Sequence, residues 1–199
     1  MIDLTSKFEL HKQWVSSIGV EGDKLRIQEV DFRNFNLSSL ILEQANIINC
    51  NFDNLNLSNI DFHASVLCSS SYQHAILESC DFYKSDLSYS NFSNAILKGV
   101  RLARSDCWET VFKDANLVDC NLSAISFTLT DFSNAKLINV DISESRFENV
   151  LFNGTTFKNL KGMDEASFHS INISTSESPM ILVGKEAKKW ILDNSLDNG

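Results

Sequence analysis

The chain has 199 residues, 43% of them hydrophobic and 22% charged, a composition typical of one globular domain and not of a disordered polypeptide. Its net charge of -9 argues against direct binding of nucleic acid or of an anionic membrane, because both are bound through clusters of Lys and Arg. The N-terminus has no apolar stretch of signal-peptide length, no run reaches the ~18 apolar residues of a membrane span, and the five cysteines form no CxxC pair, so a cytoplasmic protein is expected.

Residues 1 to 24 are predicted to form a capping helix and a lead-in to the segment that follows. Mostly apolar side chains recur here at a spacing of three to four, with Trp14 beside them and Gly19 where the helix would end: Leu4, Phe8, His11, Val15 and Ile18. We therefore expect an amphipathic helix that covers the first layer of the next segment, with His11 as a packed or half-exposed residue of this cap.

Residues 25 to 161 repeat with a period of five. Every central residue of a repeat, called i, is apolar or aromatic in all 27 repeats from Ile27 to Phe157. The residues at i-2 are small or apolar and never charged, as in Leu25, Val30 and Phe35. Since side chains alternate along an extended strand, i and i-2 point to one face. Each repeat is thus one short side with two residues inside.

A second period of 20 residues sets the number of sides. Aromatic residues recur at this spacing, at Phe32, Phe52, Tyr72, Phe92, Phe112, Phe132 and Phe152. Four repeats then make one turn, and residues 20 apart stack as neighbours in parallel strands. The 27 repeats give almost seven coils and a rod of about 32 Å. The corners carry Asn, Ser and Asp, which favour turns, and only Gly99 and Gly154 as glycines. The fold class predicted is an all-β solenoid.

These repeats resemble the pentapeptide-repeat family, whose pattern is A-(D/N)-(L/F)-x-x. The resemblance is carried by segments such as 45–47, 95–99, 115–117 and 131–135, and Asp or Asn fills i-1 in 14 of the 27 repeats. It implies the right-handed quadrilateral parallel β-helix of that family over residues 25 to 161. Some members that this chain resembles mimic duplex DNA and bind type II topoisomerases, protecting them from quinolones or toxins. Others are effectors delivered into another cell.

Residues 162 to 199 leave the repeat and are predicted to form a short strand and helix. An apolar run, residues 180–183, precedes a stretch of helical composition, with Ala187, Trp190 and Ile191 on one side. The segment is expected either to fold onto the last coil as a cap or to make a dimer contact. The family resemblance implies the second alternative, since C-terminal elements join two coils end to end in several members.

No arrangement typical of an enzyme is found in the sequence. His63 and His74 lie on different sides of the predicted coil, His169 lies beyond it, and phosphate loops and dinucleotide fingerprints are absent. We therefore predict no catalytic, cofactor or metal site. Cys50, Cys80, Cys107 and Cys120 fall at core positions, where Cys behaves as a small hydrophobe, and Cys68 is expected to be the exposed thiol.

Two outer surfaces are candidates for a binding function. Tyr89, Trp108 and Leu129, here called the aromatic patch, fall at outward or corner positions of one side, with Tyr83 and Arg104 nearby. Exposed apolar clusters mark interaction sites, and Tyr, Trp and Arg are enriched in binding hot spots. The patch predicts a rigid, non-enzymatic module that binds a protein partner.

The second surface consists of two acidic columns. Asp61, Asp81 and Asp141 fall in the first acidic column, which Arg101 interrupts, and Asp86 and Asp106 form the second acidic column. Residues 25 to 161 hold 16 Asp or Glu against 11 Lys or Arg, a net charge of -5, whereas ~32 Å of duplex DNA carries roughly 19 charges. The net charge of the coil is thus far smaller than that of duplex DNA of the same length. Topoisomerase protection is therefore the alternative function, and secretion as an effector is another alternative.

Overall fold

The polypeptide winds into a parallel β-solenoid of about seven turns with a helix at each end, as the repeat predicts. The structure is a computed structural model that describes residues 4–37, 40–175 and 180–196, without the side chain of residue 196. Residues 20 apart pair in parallel, so that Leu77 pairs with Leu97, Leu97 with Leu117 and Leu117 with Leu137. This register confirms the prediction of four repeats per turn.

The sides of the coil are short strands joined by tight corners. In chain order the helices and strands are α1 Leu4–Ser16, β1 Arg26–Gln28, β2 Asn46–Ile48, β3 Ile76–Glu78, β4 Ile96–Lys98, β5 Asn116–Val118, β6 Ser126–Thr128, β7 Lys136–Ile138, β8 Arg146–Glu148, β9 Val150–Leu151, β10 Thr156–Lys158, β11 Ser167–Phe168, β12 Ser170–Asn172, β13 Ile181–Val183, α2 Gly184–Asp193 and β14 Ser195–Leu196. Six of them form one sheet in the order β14-β10-β7-β5-β4-β3. Elsewhere single bridges between i-1 residues continue the same register.

The four sides are numbered along the chain from the one that contains Phe32. The second side contains Leu37, the third contains Leu42, and the fourth contains Ile47 together with Leu87, Cys107 and Phe127. All 27 central side chains are buried, none more than 6% exposed. Their rings form ladders inside the coil. Phe92 and Phe112 stack with centroids 5.1 Å apart, and Phe112 and Phe132 with centroids 5.0 Å apart.

The i-2 residues line the remainder of the interior, with one clear departure in the first coil. Phe35, predicted to point inward, is 38% exposed, so this part of the expectation is wrong. A 3-10 helix, Phe32–Asn34, replaces the usual corner and turns Phe35 outward, where its ring packs edge-on against Phe32. Val30, Leu40 and Leu55 are likewise only partly buried. The first two coils are therefore the least regular part of the solenoid.

Buried hydroxyl groups at i-2 donate to backbone carbonyls of the coil before, except that of Ser105, which donates to Leu102 O in its own coil. Ser85 Oγ donates to Phe62 O at 2.7 Å, and Thr110 Oγ1 donates to Leu87 O at 2.9 Å. The same carbonyl of Phe62 also accepts the corner hydrogen bond from the backbone N–H of Ser65 at 3.1 Å. Since an unpaired buried hydroxyl would be costly, these bonds explain why Ser and Thr are tolerated inside an apolar core.

The corners share one backbone conformation. Apart from Asn34, every i+2 residue that the structure describes has a positive φ, for example 60° at Asn94 and 58° at Asn134. Asn and Asp tolerate this left-handed region better than other side chains with a Cβ, which accounts for their frequency at the corners. The sequence predicts the turn formers but not the single conformation that they share.

Helix α1 covers the first coil through a buried histidine. The backbone N–H of Leu25 donates to His11 Nδ1 at 3.1 Å, and His11 Nε2 lies 3.0 Å from the carbonyl oxygen of Glu43. His11 is fully buried, as a packed residue of the cap. Gly22, with φ of 74°, allows the chain to pass the helix, because a Cβ there would overlap the carbonyl oxygen of Leu10.

At the other end, helix α2 packs on the last coil. Ala187 and Ile191 are buried, and the ring of Trp190 meets that of Phe157 edge-on with centroids 6.2 Å apart. Strand β13 pairs antiparallel with β12, and β14 adds to the edge of β10. In the described part of the chain, neither helix has the length and apolar character needed to cross a membrane.

Candidate functional site

The aromatic patch lies on the fourth side of the coil and at the corner that follows it. Trp108 stands at i+1 of its repeat, and Tyr89 and Leu129 occupy i+2 corners two coils apart, with Glu109 at the corner between them. Tyr89, Trp108 and Leu129 are 48%, 47% and 45% exposed. The rings of Tyr89 and Trp108 are in contact, with centroids 5.4 Å apart and planes tilted by 48°. The structure thus brings the two aromatic residues together on the surface.

The backbone fixes these side chains on the outside of the coil. The N–H of Tyr89 donates to the carbonyl oxygen of Trp108 at 2.8 Å, and the N–H of Leu129 donates to that of Glu148 at 3.0 Å. Tyr89 and Leu129 have φ of 63° and 56°, which side chains with a Cβ adopt at a cost. Most corners share this conformation, so the strain by itself does not distinguish the patch.

Tyr83 and Arg104, predicted to accompany the patch, lie on the preceding side and corner. Tyr83 is held within its own side, because the Arg101 guanidinium lies 4.1 Å from its ring centroid and Lys84 Nζ lies 5.2 Å from it. Arg101 Nε is also 3.3 Å from a carboxylate oxygen of Asp81. Arg104 is exposed at a corner with φ of 61°. Tyr83 is therefore already covered by cations of this chain.

The first acidic column is largely compensated by charges of the same chain. Asp61 pairs with Asp81 in neighbouring strands, and Asp81 pairs with Arg101. His63 Nδ1 lies 3.0 Å from Asp61, and Asp61 also accepts the backbone N–H of His63 at 2.8 Å. Asp141 stands beyond Asn121 and accepts the N–H of Ser143. These carboxylates stabilise the turn at their own repeat.

The second acidic column is different. Asp86 and Asp106 pair in neighbouring strands, and Ser126 follows in the next coil. In the described part of the chain, no cationic nitrogen lies within 4.0 Å of either carboxylate. Both residues stand on the fourth side, beside Trp108 and Tyr89. In the structure, the second acidic column and the aromatic patch therefore form one surface. From the sequence they were predicted as two separate surfaces.

Comparison with known proteins agrees with this architecture. The family model described as pentapeptide repeats (8 copies) matches residues 26–63, and that described as pentapeptide repeat region matches residues 75–157. The two segments together make up more than half of the chain. The chain belongs to the pentapeptide-repeat family. A search of curated proteins gave no match to it.

Solved structures similar to this pentapeptide-repeat protein come from several sources. One is a pentapeptide-repeat protein of the Arabidopsis thaliana thylakoid lumen, with 22% identity, 50% of this chain and 70% of that chain covered, and a TM-score of 0.49. Another is Rfr23 from the cyanobacterium Cyanothece 51142, with 22% identity, coverage of 58% and 86%, and a TM-score of 0.36. QnrB1, a plasmid-mediated fluoroquinolone resistance protein, has 16% identity, coverage of 73% and 78%, and a TM-score of 0.29.

One cluster of this pentapeptide-repeat protein could hold a metal ion. Potential ligand atoms of Glu43, Asp61 and His63 lie within 4.8 Å of one another on the third side. The sequence prediction of no metal site considered pairs of histidines and pairs of cysteines, whereas this group combines one histidine with Asp61 of its own repeat and Glu43 of the preceding coil. His63 Nδ1 lies 3.8 Å from Glu43 and 3.0 Å from Asp61, so the three residues already form a small ion-pair network when His63 is protonated.

The cysteine thiols are poorly suited to chemistry at neutral pH. Burial raises the pKa of Cys107 to about 12, that of Cys120 to about 12 and that of Cys80 to about 11. Cys68 is half-buried, and desolvation, together with the negative charge of Asp86, raises its pKa as well. The thiolate is the reactive form of cysteine, so a raised pKa lowers the reactivity of each thiol.

Sequence reasoning missed several exposed apolar side chains at the two ends. Ile18 and Val20, which follow helix α1, are 94% and 84% exposed, and Ile181 and Val183 on strand β13 are 63% and 55% exposed. These residues fall outside the five-residue period. The helical spacing assigned Ile18 to the capping face, and this expectation is wrong, because helix α1 ends at Ser16 and Ile18 is exposed. For Val20, Ile181 and Val183, no periodic signal assigned the side chain to the inside or the outside.

Proposed function

We propose that this pentapeptide-repeat protein is a non-enzymatic module whose aromatic patch docks a protein partner. The observation that carries the proposal is the contact between the rings of Tyr89 and Trp108, both about half exposed on a regular coil. Exposed aromatic residues in contact are the side chains most enriched in binding hot spots. The buried central residues fill the interior of the coil, which leaves the outer surface for binding.

The scaffold beneath the patch also favours binding. The backbones of Tyr89, Glu109 and Leu129 are each hydrogen-bonded to the following coil, at 2.8, 2.9 and 3.0 Å. A pre-ordered surface loses less conformational entropy on association than a mobile loop does. Aromatic side chains with two χ angles add contact area at low entropic cost.

The proposal is tested by affinity capture from bacterial lysate with the wild type and the Trp108→Ser variant side by side. A partner identified by mass spectrometry and then purified should bind the wild type at least about tenfold more tightly than Trp108→Ser. Ile96→Ser is the matched control. Ile96 is 45% exposed, as the patch residues are, but it lies on the second side of the coil and not in the aromatic patch. Equal binding of Trp108→Ser and wild type would contradict the proposal.

Topoisomerase protection is the alternative, and the second acidic column is the observation that favours it. Asp86 and Asp106 stand side by side, and no cationic nitrogen of the described residues lies within 4.0 Å of their carboxylates. Like charges on adjacent strands are unfavourable for stability, so a binding role would give this pair of carboxylates a purpose. DNA gyrase supercoiling in the presence of a quinolone tests this function. Protection by the wild type that is lost in the Asp86→Asn/Asp106→Asn variant would replace the first proposal by this one.

We further propose a homodimer through the C-terminal segment. Strand β13 is the edge of the described sheet β13-β12-β9, and its exposed Ile181 and Val183 side chains lie on one face. Light scattering after size-exclusion chromatography should give twice the 22.4 kDa mass of the chain for the wild type and a lower mass for Val183→Lys. A monomer at every concentration would show that the segment serves only as a cap.

We also propose a cytoplasmic location, which the free cysteines favour because a reducing compartment keeps thiols unpaired.

A further inference from the structure

Two sides of the coil carry an aspartate and an aromatic residue in the same register. On the third side, Asp81 stands at i-1 and Tyr83 at i+1 of one repeat, and Arg101 stands at i-1 in the next coil. On the fourth side, Asp106 and Trp108 occupy the corresponding i-1 and i+1 positions. There the next coil offers Ser126 where the third side has Arg101.

The third side shows what the arginine does. The Arg101 guanidinium lies 4.1 Å from the centroid of the Tyr83 ring, and its Nε is 3.3 Å from Asp81. One planar cation therefore covers an aromatic face and neutralises a carboxylate at the same time. Guanidinium groups suit this position because they stack on rings and still donate hydrogen bonds in their own plane.

The fourth side has the aromatic ring and the carboxylates without the cation. Trp108 is 47% exposed, and Asp106 is accompanied by Asp86 in the preceding coil. Within the ranges that the structure describes, no cationic nitrogen is within 4.0 Å of these carboxylates. The next cation in the same column is Arg146, which pairs with Ser126 from one coil further on. Glu109 adds a third carboxylate, which is exposed at the corner.

We propose that Trp108, Asp106 and Asp86 form a subsite for an arginine side chain of the protein partner. The guanidinium stacks on the Trp108 ring and pairs with Asp106, in the arrangement that Arg101 adopts with Tyr83 and Asp81. Asp86 supplies the second negative charge, and the Tyr89 ring extends the aromatic surface. This inference rests on the proposed protein-binding function and specifies the chemistry of the partner, a basic segment that presents arginine.

Two blocked pentapeptides test the subsite, acetyl-Gly-Arg-Gly-Arg-Gly-amide and its counterpart with citrulline in place of both arginines. Citrulline has nearly the shape of arginine but no charge. The indole N–H of Trp108, assigned in the NMR spectrum by its loss in Trp108→Ser, reports binding. The arginine peptide should shift this signal in a saturable way below about 10 mM, and the citrulline peptide should bind at least about tenfold more weakly.

Ser126→Arg is the decisive variant, because it places a guanidinium of the chain itself where Arg101 stands on the third side. It should weaken the arginine peptide at least about tenfold, as should Asp106→Asn. Asp61→Asn is the matched control, since it removes the same charge from an exposed position on the third side and should leave the affinity unchanged. Circular dichroism and thermal unfolding check that each variant is folded.

The outcomes separate this inference from the proposed function. No saturable shift with the arginine peptide, equal affinity for the citrulline peptide, or unchanged affinity in folded Ser126→Arg would each overturn the subsite. If a captured partner still depends on Trp108 after such a result, the binding module stands and only the arginine subsite falls. Loss of affinity in Asp61→Asn equal to that in Asp106→Asn would show general attraction of a basic peptide to an acidic protein and would also overturn the subsite.

Discussion

The ring of Tyr72 stacks face to face on that of Phe92 inside the coil, with centroids 4.5 Å apart and planes 2° apart. Phe52 stacks on its other face at 4.8 Å. The Tyr72 hydroxyl is the one polar group in this ladder of rings. It is buried without a hydrogen-bond partner in the described structure, and burial raises its pKa well above the usual value. An unpartnered buried hydroxyl destabilises the folded state.

Replacing Tyr72 by Phe should therefore stabilise the protein. The change removes the unpaired hydroxyl and keeps the stacked ring, so the free energy of unfolding should rise by about 1 kcal/mol. Urea denaturation followed by circular dichroism measures the difference. Phe92→Tyr is the matched change in the opposite direction and should lower the free energy of unfolding. A loss of stability in Tyr72→Phe would mean that the hydroxyl has a partner in solution, such as a buried water.

The stability of the N-terminal cap should depend on pH through His11. Burial lowers the pKa of His11, with the charge of Lys24 as a smaller cause, and Nδ1 accepts the N–H of Leu25, which requires an unprotonated nitrogen. Above about pH 6.5 His11 is neutral in both the folded and unfolded states. As the pH falls below this value, the unfolded chain takes up a proton more readily than the folded one. The free energy of unfolding must then decrease.

Urea denaturation at pH 7.5 and pH 5.5 measures this dependence. His11→Gln should lower the free energy of unfolding by about 1–2 kcal/mol at pH 7.5. Between pH 7.5 and pH 5.5 this free energy should fall less in the variant than in the wild type. Gln13→Ala, at an exposed and uncharged position of helix α1, should retain the pH dependence of the wild type. Asp31, with a pKa held at about 2 by Arg33, titrates below this range and does not interfere. An unchanged pH dependence in His11→Gln would refute the assignment.

The two periods predict which residues of the coil are buried and which residues meet in neighbouring strands. The burial of Ile27 through Phe157 at the central positions follows from the five-residue period, and the pairing of Asp86 with Asp106 follows from the 20-residue period. Phe35 departs from this pattern because a 3-10 helix, Phe32–Asn34, stands where the other described corners have a residue with positive φ.

The outer surface could not be predicted to the same degree. The period assigns Tyr83 and Trp108 to equivalent outward positions, but it says nothing of the side-chain rotamers that bring Arg101 over one ring and leave the other open. Long side chains such as Arg have several rotamers of similar energy on an exposed strand. The difference between the third and fourth sides thus depends on one residue of the next coil, Arg101 or Ser126. The sequence places Arg101 in the first acidic column, but the structure is needed to show that its guanidinium lies over the Tyr83 ring.

The aromatic patch should contribute to binding and not to stability. Leu129 has φ of 56°, a conformation that costs a leucine about 1 kcal/mol and that asparagine tolerates, as Asn134 does with φ of 58°. Leu129→Asn should therefore leave the free energy of unfolding unchanged or raise it by up to about 1 kcal/mol, while partner capture falls. Leu137→Ala, at a central position, should lower the free energy of unfolding by about 2–5 kcal/mol. A comparable loss in Leu129→Asn would show that Leu129 is a structural residue.

Thiol labelling should distinguish Cys68 from the four buried cysteines. At pH 8 an aromatic disulfide reagent should modify Cys68 first, because the side chains of Cys50, Cys80, Cys107 and Cys120 are buried and their pKa values are raised by desolvation. These four should react only as the coil unfolds, at a rate that urea increases. Cys68→Ser should leave the native protein unlabelled on the same time scale.

Asp86→Asn should accelerate labelling of Cys68, since the negative charge of Asp86 contributes to the raised pKa of Cys68. Rapid labelling of a second thiol in the native protein would show that the coil opens locally at that cysteine.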